Sequence, residues 1–150
     1  MIMVMGLTLF IVSPLFRETA AGLERRLEGL MGARQLLDFE RHAQRAAERV
    51  LLPPWLQESP YALQENAHGV EVGYLDGAAA RRLSVLRTGH RLEVRCDGEL
   101  EAHLSGVRRL TAEAWTLPSG ALIGVVLELE HRRLGSRTVC LRFGGAGGIL

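Results

Sequence analysis

Histidine and cysteine side chains are the groups in this sequence that could bind a metal ion. The chain has five histidines: His42, His68, His90, His103 and His131. No two of them lie four residues apart, so none forms the metal-binding pair that a helix can present on one face. Glu101 and His103 follow Cys96 closely, and Cys140 could complete a set of four ligands. We interpret the histidines as scattered surface residues instead, and we expect neither a metal nor a cofactor.

The two cysteines also lack the surroundings of a catalytic thiol. Such a thiol needs a histidine and an orienting acid, held at a loop or a helix N-terminus. Cys96 and Cys140 fall within or at the ends of apolar, strand-like segments, and the alternation places Cys140 on the apolar face. Two alternatives stay open: a disulfide between them, which a compartment outside the cytoplasm would permit, or two buried thiols. Nothing here indicates an enzyme or a small-molecule substrate.

Arginine pairs are the candidates for contact with nucleic acid. All 18 basic residues are arginine, and they include Arg81 with Arg82, Arg108 with Arg109, and Arg132 with Arg133. Such pairs could line a groove for DNA phosphates. Charged residues on strand edges, which prevent aggregation, explain them equally well. The net charge of +1 gives no overall electrostatic argument for a nucleic-acid partner.

The elements that would position these residues begin with an apolar segment. Residues 1–16 carry no charge, and the first ionisable side chain is that of Arg17. A membrane-spanning helix needs about 20 apolar residues, so this segment is short for a span. A signal peptide would have a basic residue before the apolar stretch, and none is present. A buried core helix and a span whose beginning lies upstream both remain, and we favour the span.

Residues 17–52 have the pattern of an amphipathic helix. Leu23, Leu27, Leu30 and Leu37 follow one another at steps of four, three and seven residues, which keeps them on one face. The predicted stripe continues through these positions: Phe39, Ala43, Ala46 or Ala47, and Val50. We expect one helix over about residues 1–52, with the stripe holding a sheet and the apolar half projecting. Pro14 is expected to kink this helix without ending it.

After the helix, the apolar period changes from 3.6 to two residues. Residues 53–68 contain three prolines and are predicted to be a loop that Trp55 and Tyr61 anchor. Alternating apolar residues then predict successive antiparallel strands up to Phe143. The sequence therefore predicts an α+β fold in which residues 17–150 form one soluble domain. Removal of residues 1–16 is expected to leave that domain folded and monomeric.

The order of these elements resembles type IV pilins and the pseudopilins of type II secretion. The specific element is MGLTLFIVSPLF, because pilins carry a glycine in the anchoring helix and a proline eight residues later, and Gly6 and Pro14 have this spacing. The segment from Leu83 to Trp115 is similar to minor pilins of the J, W or competence-associated subgroups. Two family features, a basic leader ending in glycine and a glutamate near the start of the mature helix, are not in this sequence. We therefore expect the leader and the first mature residues to lie upstream of Met1.

The resemblance implies a non-enzymatic minor pilin or pseudopilin in a pilus, a secretion system or a DNA-uptake filament. Its partners would be other pilins, contacted through the N-terminal helix, and the inner membrane, with DNA as a further candidate. The soluble domain would lie in the periplasm or on the cell surface. The alternative is a single-pass, membrane-anchored periplasmic or extracellular module that binds a ligand on its sheet.

Overall fold

The architecture is one long helix followed by eight antiparallel strands. A computed structural model describes the backbone of residues 2–52 and 63–144, and the side chains of residues 18–52 and 63–144. The predicted anchors Trp55 and Tyr61 lie outside the described residues. The elements are α1 (Ile2–Glu48), β1 (Leu63–Asn66), β2 (Gly69–Asp76), β3 (Ala79–Thr88), β4 (Arg91–Cys96), β5 (Glu99–Ser105), β6 (Val107–Thr116), β7 (Leu122–His131) and β8 (Gly135–Arg142). The α+β prediction is confirmed.

Helix α1 is continuous through Pro14, as the sequence predicted. Its 47 residues span about 70 Å at 1.5 Å per residue. The helix ends at Glu48 and not at about residue 52, because Leu51 leaves it to form a parallel bridge with Gly144. A side chain at Gly144 would collide with the carbonyl oxygen of Glu48. Glycine therefore allows the end of the last strand to approach the end of the helix.

The strands form two sheets, whereas the sequence predicted one. One sheet has the order β1-β2-β3-β4-β5 and the other β6-β7-β8, and every pairing between neighbouring strands is antiparallel. The break falls at Gly106, whose positive φ of 86° redirects the chain after β5. The amides of Gly106 and Val107 both donate to the carbonyl oxygen of His90, at 2.8 and 3.0 Å. Strand β6 is thereby turned away from β5 and pairs with β7.

Strand β1 lies inside the segment that the sequence predicted to be a loop. Leu63, which is half-buried, is its only residue that is not exposed, so the strand has no apolar alternation to reveal it. It is held by backbone pairing with β2, in a register that joins Leu63 to Val72 and Asn66 to Gly69. The prediction was wrong here because one half-buried leucine gives no alternation, and backbone pairing with β2 leaves no pattern in the sequence.

The buried face of α1 differs in part from the predicted stripe. Phe39, Ala43, Ala46, Ala47 and Val50 are buried, as expected. The prediction was wrong for the four leucines at positions 23, 27, 30 and 37, which are 52–68 % exposed. Phe39 lies only two residues after the last of these leucines, a step that reverses the direction of a side chain on a helix with 3.6 residues per turn. Small alanines on the packed face let the sheets approach the helix closely.

The core is filled from both sheets and from α1. Predicted inward-facing residues such as Val72, Val85, Val94 and Leu127 are at most 1 % exposed. Val107 and Leu110 are three positions apart and so break the alternation of apolar residues, because the register of β6 against β7 shifts between Val107 and Arg109.

Candidate functional site

Among the described residues, an apolar stripe on α1 remains exposed to solvent. The leucine stripe, as we call it, consists of Leu23, Leu27, Leu30, Met31 and Leu37, each 52–68 % exposed. The four leucines follow one another at steps of four, three and seven residues, and Met31 follows Leu27 by four, so all five share one face. The packed face of α1 starts at Gly32 and lies on the opposite side of the helix. The helix therefore has two apolar faces, and the sheets cover one of them.

Exposure of these side chains to water carries a free-energy cost. Burying a leucine or methionine completely contributes about 1.5–3 kcal/mol relative to exposure. Clustered apolar patches on a protein surface usually mark a site of association. The leucine stripe has the geometry for packing against another apolar helix or a comparable apolar surface.

Gly6 and Pro14, the two positions of the anchoring motif, both lie within the backbone of α1. Their side-chain surroundings belong to the part of the helix for which the structure describes the backbone alone. Across residues 2–52 and 63–144, no helix combines the length and the apolar character needed to cross a lipid bilayer.

The two cysteines are free and lie in different sheets. Cys96 ends β4 and is half-buried, and Cys140 lies in the middle of β8 and is exposed. The prediction that Cys140 faces the core was wrong, because the buried phase of β8 is that of Val139 and Leu141. The structure therefore shows neither of the two alternatives, a disulfide or two buried thiols.

Cys96 has surroundings that keep its thiol protonated. Burial is the main cause that raises the pKa of Cys96, and the carboxylate of Glu101 raises it further. Burial also raises the pKa of the neighbouring Tyr74 hydroxyl to about 12, with Cys96 and Asp97 adding to the effect. A nucleophilic cysteine needs a lowered pKa, so this arrangement does not activate the thiol. Across the described residues, no group of three or more His, Cys, Asp or Glu side chains could hold a metal ion.

The four arginines proposed for DNA contact lie on two different sheets. Arg81 and Arg82 lie on β3 of the five-stranded sheet, and Arg108 and Arg109 lie on β6 of the other sheet. Acidic side chains already pair with the first two. The Arg81 guanidinium binds Asp97 at 2.7 Å, and that of Arg82 lies 3.4 Å from Glu71.

A cleft of about 350 Å³ lies between α1 and β5, and both polar and apolar side chains line it. His42 and His103 line it above Phe39 and Leu104. The Nδ1 atom of His42 lies 2.7 Å from the carbonyl oxygen of Asp38. Another residue at the cleft, Glu101, is engaged by Arg49 at 2.6 Å, an ion pair that ties the end of the helix region to β5. The cleft can accept a small polar group, but the carboxylate of Glu101 already has Arg49 as its partner.

Comparison with known proteins found neither a protein-family model nor a curated protein that matches this chain.

The leucine stripe was visible in the sequence, but its role was misassigned. The same spacing that predicts an amphipathic helix cannot say which of two apolar faces meets the sheets. One signal in the sequence indicated the second apolar face. Phe39 lies two residues after Leu37, so Phe39 and the alanines that follow it form a second apolar row on a different side of the helix.

Proposed function

We propose that this chain is a minor pilin or pseudopilin, a non-enzymatic structural subunit of a type IV pilus, a type II secretion filament or a DNA-uptake filament. The observation that carries the proposal is the pair of opposite apolar faces on α1. A filament subunit needs one face to hold its own sheets and a second face to pack against the helices of neighbouring subunits.

The exposed leucines fit helix-to-helix assembly. Leu23, Leu27 and Leu30 precede the packed region of α1, so the sheets leave them accessible to a neighbouring helix. Packing of these side chains between subunits would remove them from water, and the same assembly would exchange lipid for protein around residues 1–16. In this proposal, residues 1–16 belong to an inner-membrane anchor before assembly, and the sheets lie in the periplasm or on the pilus.

Two further features support the proposal. Gly6 and Pro14 keep the spacing of the pilin anchoring helix, and α1 is continuous through that proline. An α+β domain in which antiparallel strands follow one long helix has the element order of the pilin family. The choice of a minor over a major subunit rests on family analogy alone, because the sheet and loops are plain and a tip or priming role needs few copies.

Photo-crosslinking in cells that naturally produce the chain tests the proposal. A photoreactive amino acid replaces Leu30 in the leucine stripe. The matched control replaces Leu117, another exposed leucine, which lies in the turn between β6 and β7. We expect the probe at position 30 to crosslink to the apolar N-terminal helix of this or another filament subunit, as mapped by mass spectrometry.

The alternative function makes a different prediction in the same experiment. An anchored ligand-binding module would use a surface such as the cleft between α1 and β5, and its leucine stripe would have no helical partner. Equal crosslinking at positions 30 and 117, or products that contain a soluble protein in place of an apolar helix, would contradict the filament proposal.

A further inference from the structure

A second cleft, of about 440 Å³, lies between α1 and the turn that joins β7 to β8. Arg25 and Glu28 line it from the helix, and Arg132 and Arg133 line it from the turn. We call it the arginine cleft, after these three arginines. Residues 25 and 132 are far apart in sequence, so only the fold brings them together.

The arginine cleft carries an excess of positive charge. Glu28 is the one acidic residue that lines it, and Arg133 lies 3.7 Å from its carboxylate, with both side chains about half exposed. Among the described residues, no other ion pair involves this cleft. The guanidinium groups of Arg25 and Arg132 thus remain for a ligand, and arginines that line one cleft can donate several hydrogen bonds to the oxygens of a phosphate group.

Its position in the fold places the cleft at the end of the domain nearest the apolar half of α1. Strand β5 contacts the helix around Phe39 and His42, and Arg142 of β8 exchanges hydrogen bonds with the Gln44 side chain. The β7–β8 turn reaches further toward the N-terminus, where Leu134 packs on Gly32 and Arg133 meets Glu28. Arg25 follows Phe16 by nine residues, or about 14 Å along a helix that rises 1.5 Å per residue.

We propose that the arginine cleft binds the phosphate of an anionic phospholipid headgroup at the membrane surface from which α1 emerges. This inference rests on the proposed function, because the anchor in residues 1–16 is what brings the cleft to the bilayer. Headgroups extend several Å beyond the hydrocarbon core, and attraction to an anionic surface acts over about 10 Å, so arginines at this height lie within range. Basic residues next to a membrane anchor are a common means of binding anionic lipids.

The positions of the arginines on the fold favour a lipid headgroup over nucleic acid as the ligand. DNA binding uses many phosphate contacts along an extended basic surface. Here Arg81 and Arg82 lie on the five-stranded sheet, where Asp97 and Glu71 pair with them, whereas the cleft lies beside the turn of the three-stranded sheet. The arginine cleft is a compact site at the membrane-facing end, which suits a single headgroup.

Native mass spectrometry of the full chain in nanodiscs tests the proposal. The discs contain phosphatidylcholine alone or a mixture with phosphatidylglycerol, and the lipids that stay bound to the released protein are counted. We expect phosphatidylglycerol to be enriched over its share in the disc. The variant R25Q/R132Q/R133Q should reduce this enrichment at least about fivefold, the effect of one basic residue at a charged surface.

The matched control is R82Q/R108Q/R109Q, which removes the same number of exposed charges away from the cleft. Enrichment in the control should equal that of the unmodified chain, and an equal loss in both variants would overturn the proposal. A short DNA duplex or inorganic phosphate that displaces the lipid completely would assign the site to nucleic acid or to free anions, which also overturns it.

The outcomes separate this inference from the proposed function. A chain that inserts into phosphatidylcholine discs but shows no preference for phosphatidylglycerol overturns the lipid site and leaves the filament proposal standing. Failure to associate with any disc contradicts the membrane anchor itself, and both proposals then fail together.

Discussion

At the scale of single residues, His131 links the two sheets. Apart from Tyr74, it is the one buried side chain with a polar group among residues 18–52 and 63–144. The backbone amides of Arg133 and Leu134 point at its Nδ1 atom from 3.1 and 3.2 Å, so Nδ1 accepts and Nε2 carries the hydrogen. Nε2 lies 2.9 Å from the carbonyl oxygen of Ser105 and donates to it. The ring therefore joins the end of β7 to the end of β5.

Replacing His131 with phenylalanine should destabilise the chain by about 2 kcal/mol or more, because three backbone groups lose their partners in a buried place. The same change at His103, which is exposed, should cost less than about 0.5 kcal/mol. Urea unfolding followed by circular dichroism measures both variants. Equal losses would show that the hydrogen bonds of His131 do not stabilise the fold.

Asp97, in the β4–β5 turn, contributes to the stability of the fold in a way that depends on pH. Its carboxylate accepts from the Arg81 guanidinium at 2.7 Å and from the Arg82 amide at 2.8 Å, and these hydrogen bonds lower the pKa of Asp97 below its ordinary value of 3.8. A lowered pKa in the folded state means that the ionised carboxylate stabilises the fold. This contribution to the free energy of unfolding is fully present above the ordinary pKa of 3.8, and it is lost as the pH falls through the lower pKa of the folded state.

The variant D97N should therefore be less stable than the unmodified chain at pH 7 and should approach it in acid. Asparagine tolerates the positive φ of 51° at this position and can still accept from the Arg82 amide, so the substitution removes the charge selectively. Urea midpoints at pH 7 and at about pH 2.5 make the comparison. A gap between the two proteins that does not change with pH would argue against the ion pair with Arg81.

At the scale of elements, the proposed function depends on the two apolar faces of α1. Leu37 and Phe39 belong to the two different faces, although they are two residues apart. Phe39 is 2 % exposed and Leu37 is 60 % exposed. These two positions give the most direct test of which face supports the fold.

The variant F39A should lose about 3–5 kcal/mol of unfolding free energy, since it removes a large buried ring and leaves a cavity. Its matched control L37A should lose less than about 0.5 kcal/mol, because its side chain is on the surface. Denaturation of the full chain in detergent measures both. A larger loss for L37A than for F39A would show that the leucine face, which the spacing alone predicts to be buried, supports the fold.

At the scale of the whole molecule, the core and the surfaces proposed for binding occupy different parts of the domain. The core lies between the packed face of α1 and the two sheets. The leucine stripe and the arginine cleft lie outside that core, beside the middle of α1. Substitutions in these surfaces should therefore affect association more than stability.

A fragment of residues 17–150 should fold but should self-associate through its leucine stripe, which modifies the expectation of a monomer. The double variant L27Q/L30Q should weaken this association at least about tenfold, since each leucine contributes about 1.5–3 kcal/mol when buried. The control L117Q should leave it unchanged. Sedimentation measures the association, and circular dichroism verifies the fold. A fragment that stays monomeric at high concentration would contradict a self-complementary stripe.

The sequence by itself determined the class of fold and most of its elements. Apolar periods of 3.6 and of two residues are local properties of the chain, so they located one long helix and the strands from Gly69 onward. Turn glycines such as Gly77 and Gly89, which have positive φ, marked where the strands end. Strand β1 escaped notice because its stabilisation comes from backbone pairing, which leaves no apolar pattern.

Only the tertiary structure decided which surfaces face one another. Periodicity identifies an apolar face but not its partner, so it could not tell that the sheets pack on Phe39 and leave the leucine stripe open. The split into two sheets depends on the turn at Gly106 and on the hydrogen bonds of His131, which join residues far apart in sequence. The arginine cleft has the same origin, since Arg25 and Arg132 meet only after the β7–β8 turn has packed against the helix.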